Sequence, residues 1–155
     1  MIATYFPLLL WIIVLQVLAV LSSTISSPDA WYDALVRSPL TPPGYVFATV
    51  WPVLYLCLAV YGWHLWRQDS TCAWQRRVYG LQLALNYLWS PVFFRWHQVS
   101  LALFIIGMMI LMTLYLILRG QHSASRAWLA LVPYLLWLFF AFYLTSYISA
   151  YMPLA

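Results

Sequence analysis

Charged side chains are scarce in this sequence, and lysine is absent altogether. Only 6% of the 155 residues are charged, whereas a soluble domain carries about 25%. Because 66% of the residues are hydrophobic, a water-soluble fold of this size could not bury them all, and we predict an integral membrane protein. A chain without lysine cannot form a retinal Schiff base, which excludes a rhodopsin-like function. The net charge of +4 comes from seven arginines, and in a membrane protein such an excess indicates topology rather than nucleic-acid binding.

Groups for acid–base chemistry, disulfides and metal binding are also few. The three acids, Asp29, Asp33 and Asp69, lie outside the apolar runs, which disfavours a pump driven by a proton site within the membrane. Cys57 and Cys72 are predicted at different depths, so both should be free thiols. The three histidines divide between the two sides of the membrane without an i, i+4 pair. We therefore predict no metal site and no axial haem ligand, and the chain shows no phosphate loop or catalytic triad.

Long apolar runs are present instead. Each is close to the ~20 residues that cross about 30 Å of hydrocarbon, and none alternates like the strands of a membrane barrel. We predict one all-α membrane domain, residues 1–155, folded as a bundle of five transmembrane helices. The helices are predicted at about 4–25, 45–66, 74–94, 100–118 and 127–151.

Arginine counting predicts the orientation of this bundle. Five arginines lie around the second and fourth connections between helices, and two around the first and third. Cytoplasmic loops carry the excess of positive charge, so we predict a cytoplasmic N-terminus and an external first loop. A short chain with arginine as its only basic residue favours a bacterial inner membrane.

The first loop, residues 26–44, is the only long segment outside the apolar runs. It holds two of the three acids and four of the nine prolines, and it leads into a Trp51-Pro52 pair within an apolar run. We call this segment the lid, because we predict that it covers a pocket between the helices.

A polar stripe marks the interior face of the third predicted helix. Gln82, Asn86 and Ser90 recur at every fourth residue and therefore share one face, which should avoid lipid. Trp89 and Phe93 extend the face with aromatic surface. These polar groups either line a ligand cavity or join helices by hydrogen bonds, and the sequence leaves both interpretations open.

Two further stripes are aromatic. Trp51 and Tyr55 are spaced i, i+4 on the second predicted helix, and Trp137 and Ala141 are spaced in the same way on the fifth. Such stripes belong either to aromatic core packing or to an aromatic clamp for a flat ligand.

Small residues mark a different face of the third predicted helix. Gly80 and Ala84 are spaced i, i+4 and lie roughly opposite the polar stripe. Because small residues let helices approach closely, this pair favours a homodimer seam, with packing inside one subunit as the alternative.

Several of these motifs together resemble those of one family. The first loop and second helix, the third helix and the fifth helix are similar to the corresponding segments of the TspO/translocator protein family, also called tryptophan-rich sensory proteins or peripheral-type benzodiazepine receptors. The matching residues are Trp31-Tyr32, Leu35, Arg37, Thr41-Pro42-Pro43, Phe47, Trp51, Leu54-Tyr55, Gln82, Asn86, Trp89-Ser90, Phe93-Phe94, Pro133-Tyr134, Trp137 and Phe140-Ala141.

This resemblance implies a five-helix bundle, usually dimeric, with a cavity beneath the first loop. It implies no required cofactor, and it implies a porphyrin ligand such as protoporphyrin IX or haem, or a synthetic benzodiazepine-site ligand. By position, and with Gln82 added from the polar stripe, the expected ligand-binding residues are Tyr32, Pro42, Trp51, Tyr55, Gln82, Asn86, Trp89, Phe93, Trp137 and Ala141.

Three functions agree with the resemblance. The leading expectation is a membrane protein that binds or senses porphyrin-like ligands. A light-dependent porphyrin-degrading enzyme, with Trp51 and Trp137 as redox participants, and a transporter of porphyrin or sterol-like ligands are the alternatives. Several features depart from the family pattern. Among them, Leu40 stands where the family lid carries tryptophan, and no Arg or Lys follows Arg126 to form the sterol motif of animal members.

Overall fold

The structure is a computed structural model that describes residues 2–68, 72–122 and 125–152, with the backbone alone at residues 2–6. Across these ranges the chain is helical and contains no strand. Asp69 lies outside the described residues. The chain forms five long helices and one short one: α1 Ile2–Ile25, α2 Ala30–Ala34, α3 Gly44–Trp66, α4 Ala73–Ser90, α5 Val99–Gly120 and α6 Leu131–Tyr151.

Four of the long helices are long and apolar enough to cross a membrane by themselves. The spans are Pro7–Ile25, Gly44–Trp66, Val99–Gly120 and Arg126–Tyr151. The fifth long helix, α4, is less apolar because its 18 residues include Arg76, Arg77, Gln82 and Asn86. It nevertheless packs against α1, α3 and α5, so its polar interior face is shielded from lipid by the other helices. The prediction of an all-α membrane protein is confirmed.

The long helices form a ring in the order α1, α3, α6, α5, α4. Each helix contacts its neighbours in this ring, and α3 also contacts α4 across the interior. In the most apolar window of α5, 44% of the residues are buried, against 6% in that of α1. Helix α5 is therefore the most buried of the four spans, whereas α1 lies at the periphery with most of its surface facing outward.

Polar side chains of α1 bond to carbonyl groups near prolines of its neighbours. Pro91 has no N–H to donate to the carbonyl of Tyr87, and that carbonyl instead accepts a hydrogen bond from Ser22 Oγ at 3.0 Å. The chain continues from Pro91 as a π-helical turn, Pro91–Arg95, a form common at functional sites. On the other side of α1, Gln16 Nε2 donates to the Pro52 carbonyl at 2.8 Å. These two bonds attach α1 to α3 and α4.

Helix α3 packs tightly against a side chain of α4 at Gly62. The ring of Tyr79 fills the space beside this glycine, and a Cβ placed there would lie 2.5 Å from Tyr79 Oη. Tyr79 is fully buried and donates its hydroxyl to the Leu58 carbonyl at 2.8 Å. Only a residue without a side chain leaves room for this contact.

Candidate functional site

A buried hydrogen-bond network joins the helices at the centre of the bundle. Tyr55 Oη donates to Asn86 Oδ1 at 2.6 Å, and Asn86 Nδ2 donates to Tyr134 Oη at 2.7 Å. Gln82 Nε2 also donates to Tyr134 Oη, which in turn donates to Met109 Sδ at 3.7 Å. The network therefore connects α3, α4, α5 and α6.

These contacts bear on the two interpretations of the polar stripe. Gln82 and Asn86 are 1% and 4% exposed, and both amides bond to tyrosine hydroxyls, as expected of side chains that join helices. Ser90 bonds to the Ser26 hydroxyl at 2.9 Å and thereby joins α4 to the end of α1. One polar atom of the stripe, Gln82 Oε1, is buried with no hydrogen-bond partner among the described residues. The stripe thus connects helices and keeps one acceptor unsatisfied.

Aromatic rings from α3 and α6 lie beside this network. The ring centroids of Trp51 and Trp137 are 6.4 Å apart at an interplanar angle of 82°. Trp51 also contacts Tyr55 at 5.6 Å, and Phe47 contacts Trp137 edge to face at 5.6 Å. The structure therefore brings the aromatic stripe of α3 against that of α6. Trp137 Nε1 is buried without a hydrogen-bond partner among the described residues.

An apolar cleft of about 590 Å³ opens between α3 and α6 at this place. Its volume lies within the range of small-molecule sites, about 300–1,000 Å³. Trp137 forms part of its wall, and Thr49 is its polar residue; the other lining residues are Val50, Val53, Leu54, Pro133, Leu136 and Phe140. The cleft suits an apolar ligand, with the Trp137 indole on one side.

A second aromatic group lies beneath the lid. Trp89 and Phe93 stack with ring centroids 5.2 Å apart and 9° between their planes. Tyr32 of the lid meets the edges of Phe93 at 6.1 Å and Phe94 at 5.2 Å. Trp89 Nε1, like Trp137 Nε1, is buried with no partner among the described residues. Since Trp89 is one turn from Asn86 on α4, this group adjoins the central network.

The lid is attached to the bundle at both of its ends. At one end, His97 stacks on Trp31 with centroids 4.0 Å apart and its Nε2 pairs with Asp29 Oδ2 at 3.2 Å. His97 has a φ of 54°, a left-handed conformation uncommon for a residue with a side chain. At the other end, the buried Ser38 hydroxyl bonds to Tyr143 Oη of α6 at 3.0 Å. The lid is therefore held between the turn before α5 and helix α6.

Asp29 has two roles in this attachment. Its Oδ1 accepts from the Tyr32 N–H at 3.2 Å and so caps α2. That backbone hydrogen bond, followed by the neighbouring His97, lowers the pKa of Asp29 from the ordinary 3.8. Because the folded-state pKa is lowered, the stabilisation that the Asp29 carboxylate contributes is fully present above the ordinary pKa and is lost as pH falls through the folded-state value.

We expect that Asp29→Asn loosens the lid. Asparagine keeps a capping oxygen for α2 but removes the carboxylate that faces His97, so amide hydrogen exchange over residues 28–36 should become about two- to five-fold faster, as for loss of one exposed contact to a carboxylate. The matched control is Asp33→Asn, which removes an exposed acid of the same helix that forms no ion pair among the described residues. Equal exchange rates in the two variants would contradict the attachment.

The other predicted site residues lie outside the central network and the two aromatic groups. Pro42 is half-buried in the lid just before α3, and Ala141 is half-buried one turn beyond Trp137. Leu40, at the position of the expected family tryptophan, is 63% exposed. Gly80 and Ala84 are exposed on the outer face of α4, and a Cβ at Gly80 would meet nothing within 4 Å. Their role in a homodimer seam stays a prediction.

Tyr134 and Met109 are central to the network, but neither was predicted as a site residue from the polar and aromatic stripes. The buried face of α6 contains Leu131, Tyr134, Leu138, Thr145 and Ile148, and it lies beside the stripe through Trp137. The sequence gives no signal for this face, because nearly every position of α6 is apolar and no stripe stands out. For Met109 no such signal exists, because a methionine in an apolar helix is indistinguishable from core.

Comparison with known proteins identifies the family. A model of the TspO/MBR family matches residues 5–151. The chain belongs to this family. Protein CrtK of Rhodobacter capsulatus is 29% identical over 124 residues, covering 75% of this chain and 74% of that protein. The tryptophan-rich sensory protein of Cereibacter sphaeroides is 31% identical over 110 residues, covering 71% and 69%. The translocator protein of Bos taurus is 31% identical over 125 residues, covering 72% and 68%.

Membership in the TspO/MBR family agrees with the helices described above. The matched residues run from the first span to the end of the last one, and they include the lid, the central network and both aromatic groups. The protein is therefore an integral membrane protein of this family, and the family expectation made from the motifs is confirmed.

Proposed function

We propose that this TspO/MBR protein binds a porphyrin-like tetrapyrrole, such as protoporphyrin IX or haem, as a membrane receptor. The observation that carries the proposal is the position of Trp137. Its indole contacts Trp51 and Phe47, forms part of the wall of the 590 Å³ cleft, and keeps a buried N–H without a partner among the described residues.

The chemistry of the site supports such a ligand. Offset and edge-to-face contacts of indole rings favour a flat conjugated molecule, and the N–H groups of Trp89 and Trp137 favour one that also carries acceptor oxygens. Arg37 lies with its guanidinium 5.0 Å from the Tyr32 ring centroid on the lid. A carboxylate of a tetrapyrrole would be attracted to this cation, while the ring would contact the aromatic side chains.

The proposal assigns different roles to the predicted site residues. Trp51, Trp89, Phe93 and Trp137 supply ring surface, Tyr32, Pro42 and Ala141 border it, and Tyr55, Gln82 and Asn86 hold the helices that position it. Binding itself needs no cofactor. On the arginine distribution, we place the lid outside a bacterial inner membrane and the N-terminus in the cytoplasm. A homodimer through Gly80 and Ala84 would leave this site uncovered, because they lie on the outer face of α4.

The test is a titration of the purified protein with protoporphyrin IX in the dark. Saturable quenching of tryptophan fluorescence and a shift of the porphyrin absorbance are expected. The double substitution Trp51→Ala with Trp137→Ala should weaken the affinity about tenfold or more, because each aromatic contact contributes about 0.5–1.5 kcal/mol. Trp137→Phe keeps an aromatic ring but removes the N–H, and so separates the contribution of ring contact to the affinity from that of the N–H group.

The matched control is the double substitution Trp74→Ala with Trp96→Ala. These tryptophans are 59% and 53% exposed, so the control removes two indoles without touching the cleft. Absence of saturation in the native protein, or equal affinities of the two double variants, would refute the proposal. Illumination of the complex tests light-dependent degradation of the porphyrin. If the porphyrin is lost faster than in detergent alone, and more slowly in the Trp51→Phe and Trp137→Phe variants, the protein also has that activity.

A further inference from the structure

A second pocket lies at the end of the bundle opposite the lid. It has a volume of about 320 Å³ and is formed by the last turn of α3, the first turn of α4, the end of α5 and the turn that precedes α6. We call it the arginine-end pocket. The polar side chains that line it include Tyr61, His64, Gln68, Gln75, Arg119 and His122. No carboxylate belongs to its described lining, and most of these side chains can donate hydrogen bonds.

The charge at this end is strongly one-sided. The last turns of α3 and α5, the first turns of α4 and the turn before α6 carry five of the seven arginines, Arg67, Arg76, Arg77, Arg119 and Arg126. The acids Asp29 and Asp33 are in the lid, and Asp69 is the one acid in the sequence near this end. An excess of positive charge in a partly enclosed place favours an anionic ligand.

Two of these arginines already have partners in the protein. Arg76 donates from Nε to the Leu65 carbonyl at 3.3 Å and also bonds to the Gln68 carbonyl. The guanidinium of Arg67 lies 4.7 Å from the ring centroid of Trp63. By contrast, Arg119 lines the pocket and forms no ion pair within the described part of the chain. Arg119 is therefore the cation best placed to receive a ligand.

The helix ends around the pocket carry dipole charges of both signs, because α3 and α5 end there and α4 begins there. The C-terminal carbonyls of α3 and α5 would repel an anion, but Arg76 bonds to the Leu65 carbonyl of α3 and to the Gln68 carbonyl just after that helix. Helix α4 begins here, and Cys72 at its N-cap position makes no capping bond, so the positive end of the α4 dipole faces this region. The positive charge at the pocket therefore comes from the arginine side chains at this end.

The wall formed by the end of α5 and the turn before α6 is tightly packed. A Cβ placed at Gly120 would lie 2.6 Å from the Cβ of Trp128, so α5 and the turn before α6 are in direct contact. Both residues line the pocket. Arg119 directly precedes this close contact, and the half-buried Trp128 lines the same pocket. Tryptophan side chains at a membrane surface lie at the level of the lipid headgroups.

We propose that the arginine-end pocket binds a phosphate group, with Arg119 as the charged partner and His64, Gln75 and His122 as hydrogen-bond donors. Basic pockets between transmembrane helices on the cytoplasmic side of a membrane bind anionic lipid headgroups, and the arginine distribution predicts that this end is cytoplasmic. The phosphodiester of such a lipid and a free phosphate share the required chemistry, and the test distinguishes them. This site is separate from the proposed tetrapyrrole cleft, with which it shares no lining residue.

The test uses the full-length protein in neutral detergent with three probes: phosphatidylglycerol, phosphatidylcholine and inorganic phosphate. Native mass spectrometry counts bound lipid, and thermal unfolding measures stabilisation. Phosphatidylglycerol is expected to bind and stabilise, whereas phosphatidylcholine should not. Arg119→Gln should weaken phosphatidylglycerol binding about fivefold, as for one basic residue at a membrane surface, and His122→Gln should weaken it to a smaller extent.

The matched control is Arg77→Gln, because Arg77 is an exposed arginine at the same end of α4 that does not line the pocket. Its binding should change less than twofold. If phosphate also stabilises the protein and Arg119→Gln removes that effect, the site accepts free phosphate; stabilisation by phosphatidylglycerol alone assigns it to a lipid headgroup. Equal losses in Arg77→Gln and Arg119→Gln, or no preference for phosphatidylglycerol over phosphatidylcholine, would overturn the proposal.

Discussion

Tyr134→Phe is expected to lower the free energy of unfolding by about 2 kcal/mol, and by up to 4 kcal/mol if both donors remain unsatisfied. The substitution keeps the ring but removes the hydroxyl that accepts from Gln82 Nε2 and Asn86 Nδ2. Both amides are almost fully buried, so neither can turn to water. Hydrogen bonds between membrane helices average only about 0.6 kcal/mol, and the larger value expected here comes from leaving two buried donors without an acceptor.

The comparison for this prediction is Tyr61→Phe. Tyr61 is 5% exposed, close to the burial of Tyr134, and its hydroxyl lies at the arginine-end pocket rather than in the central network. Thermal or denaturant unfolding of both variants in the same detergent gives the difference. If the two variants lose the same free energy of unfolding, the loss is that of any buried tyrosine hydroxyl, and the central network contributes no additional stability.

Tyr134→Phe should also affect the proposed ligand site. Asn86 loses the partner that holds its amide, and its Oδ1 is the acceptor of the Tyr55 hydroxyl. Tyr55 in turn packs against Trp51. We therefore expect weaker porphyrin binding in a variant that is still folded, through movement of Tyr55 rather than through a lost contact with the ligand.

Gly62→Ala is expected to destabilise the protein by about 1–3 kcal/mol, the usual cost of overpacking a core. The added methyl group would lie 2.5 Å from Tyr79 Oη and 2.8 Å from Cζ. Tyr79 cannot withdraw, because it is fully buried, bonds to the Leu58 carbonyl and touches Trp11, Tyr61 and Trp66. Helices α3 and α4 would have to separate, and the walls of both pockets would shift with them.

The control for this prediction is Gly107→Ala in the middle of α5. There a Cβ would meet its nearest neighbour, a ring carbon of Phe142, at 3.8 Å, which is an ordinary contact. Alanine is favoured over glycine within a helix by about 0.5–1 kcal/mol, so this variant should be as stable as the native protein or more so. Equal destabilisation at both positions would show that Gly62 is not a site of close packing.

Much of the fold is readable from the sequence because each long apolar run must be a helix in lipid. The run predicted at 45–66 and helix α3, Gly44–Trp66, illustrate this. The sequence did not predict where these helices depart from regular α-helical geometry. The helix predicted at 74–94 is an α-helix to Ser90 and then a π-helical turn, because Pro91 removes one backbone donor. The helix predicted at 127–151 begins with a 3₁₀ turn, Arg126–Ala130.

The candidate site was readable in part. Helical spacing placed Trp51 and Tyr55 on one face and Trp137 and Ala141 on another, but spacing within one helix carries no information about which helix it will meet. The contact of Trp51 with Trp137, and the position of the cleft between α3 and α6, depend on the ring order of the helices. The attachment of the lid by His97 is a contact between segments 68 residues apart, which no local pattern indicates.

The sequence by itself determined that this protein is a helical membrane protein of the TspO/MBR family, because hydrophobicity, length and motif spacing are properties of each segment alone. Only the tertiary structure decided how its polar and aromatic groups are paired. Gln82 and Asn86 could have faced a ligand or another helix, and their bonds to Tyr134 settle where their donors point. The arginine-end pocket likewise exists only once four helix ends converge. The physical reason is that hydrogen bonds and cavities depend on distances between segments, whereas partition into lipid depends on composition.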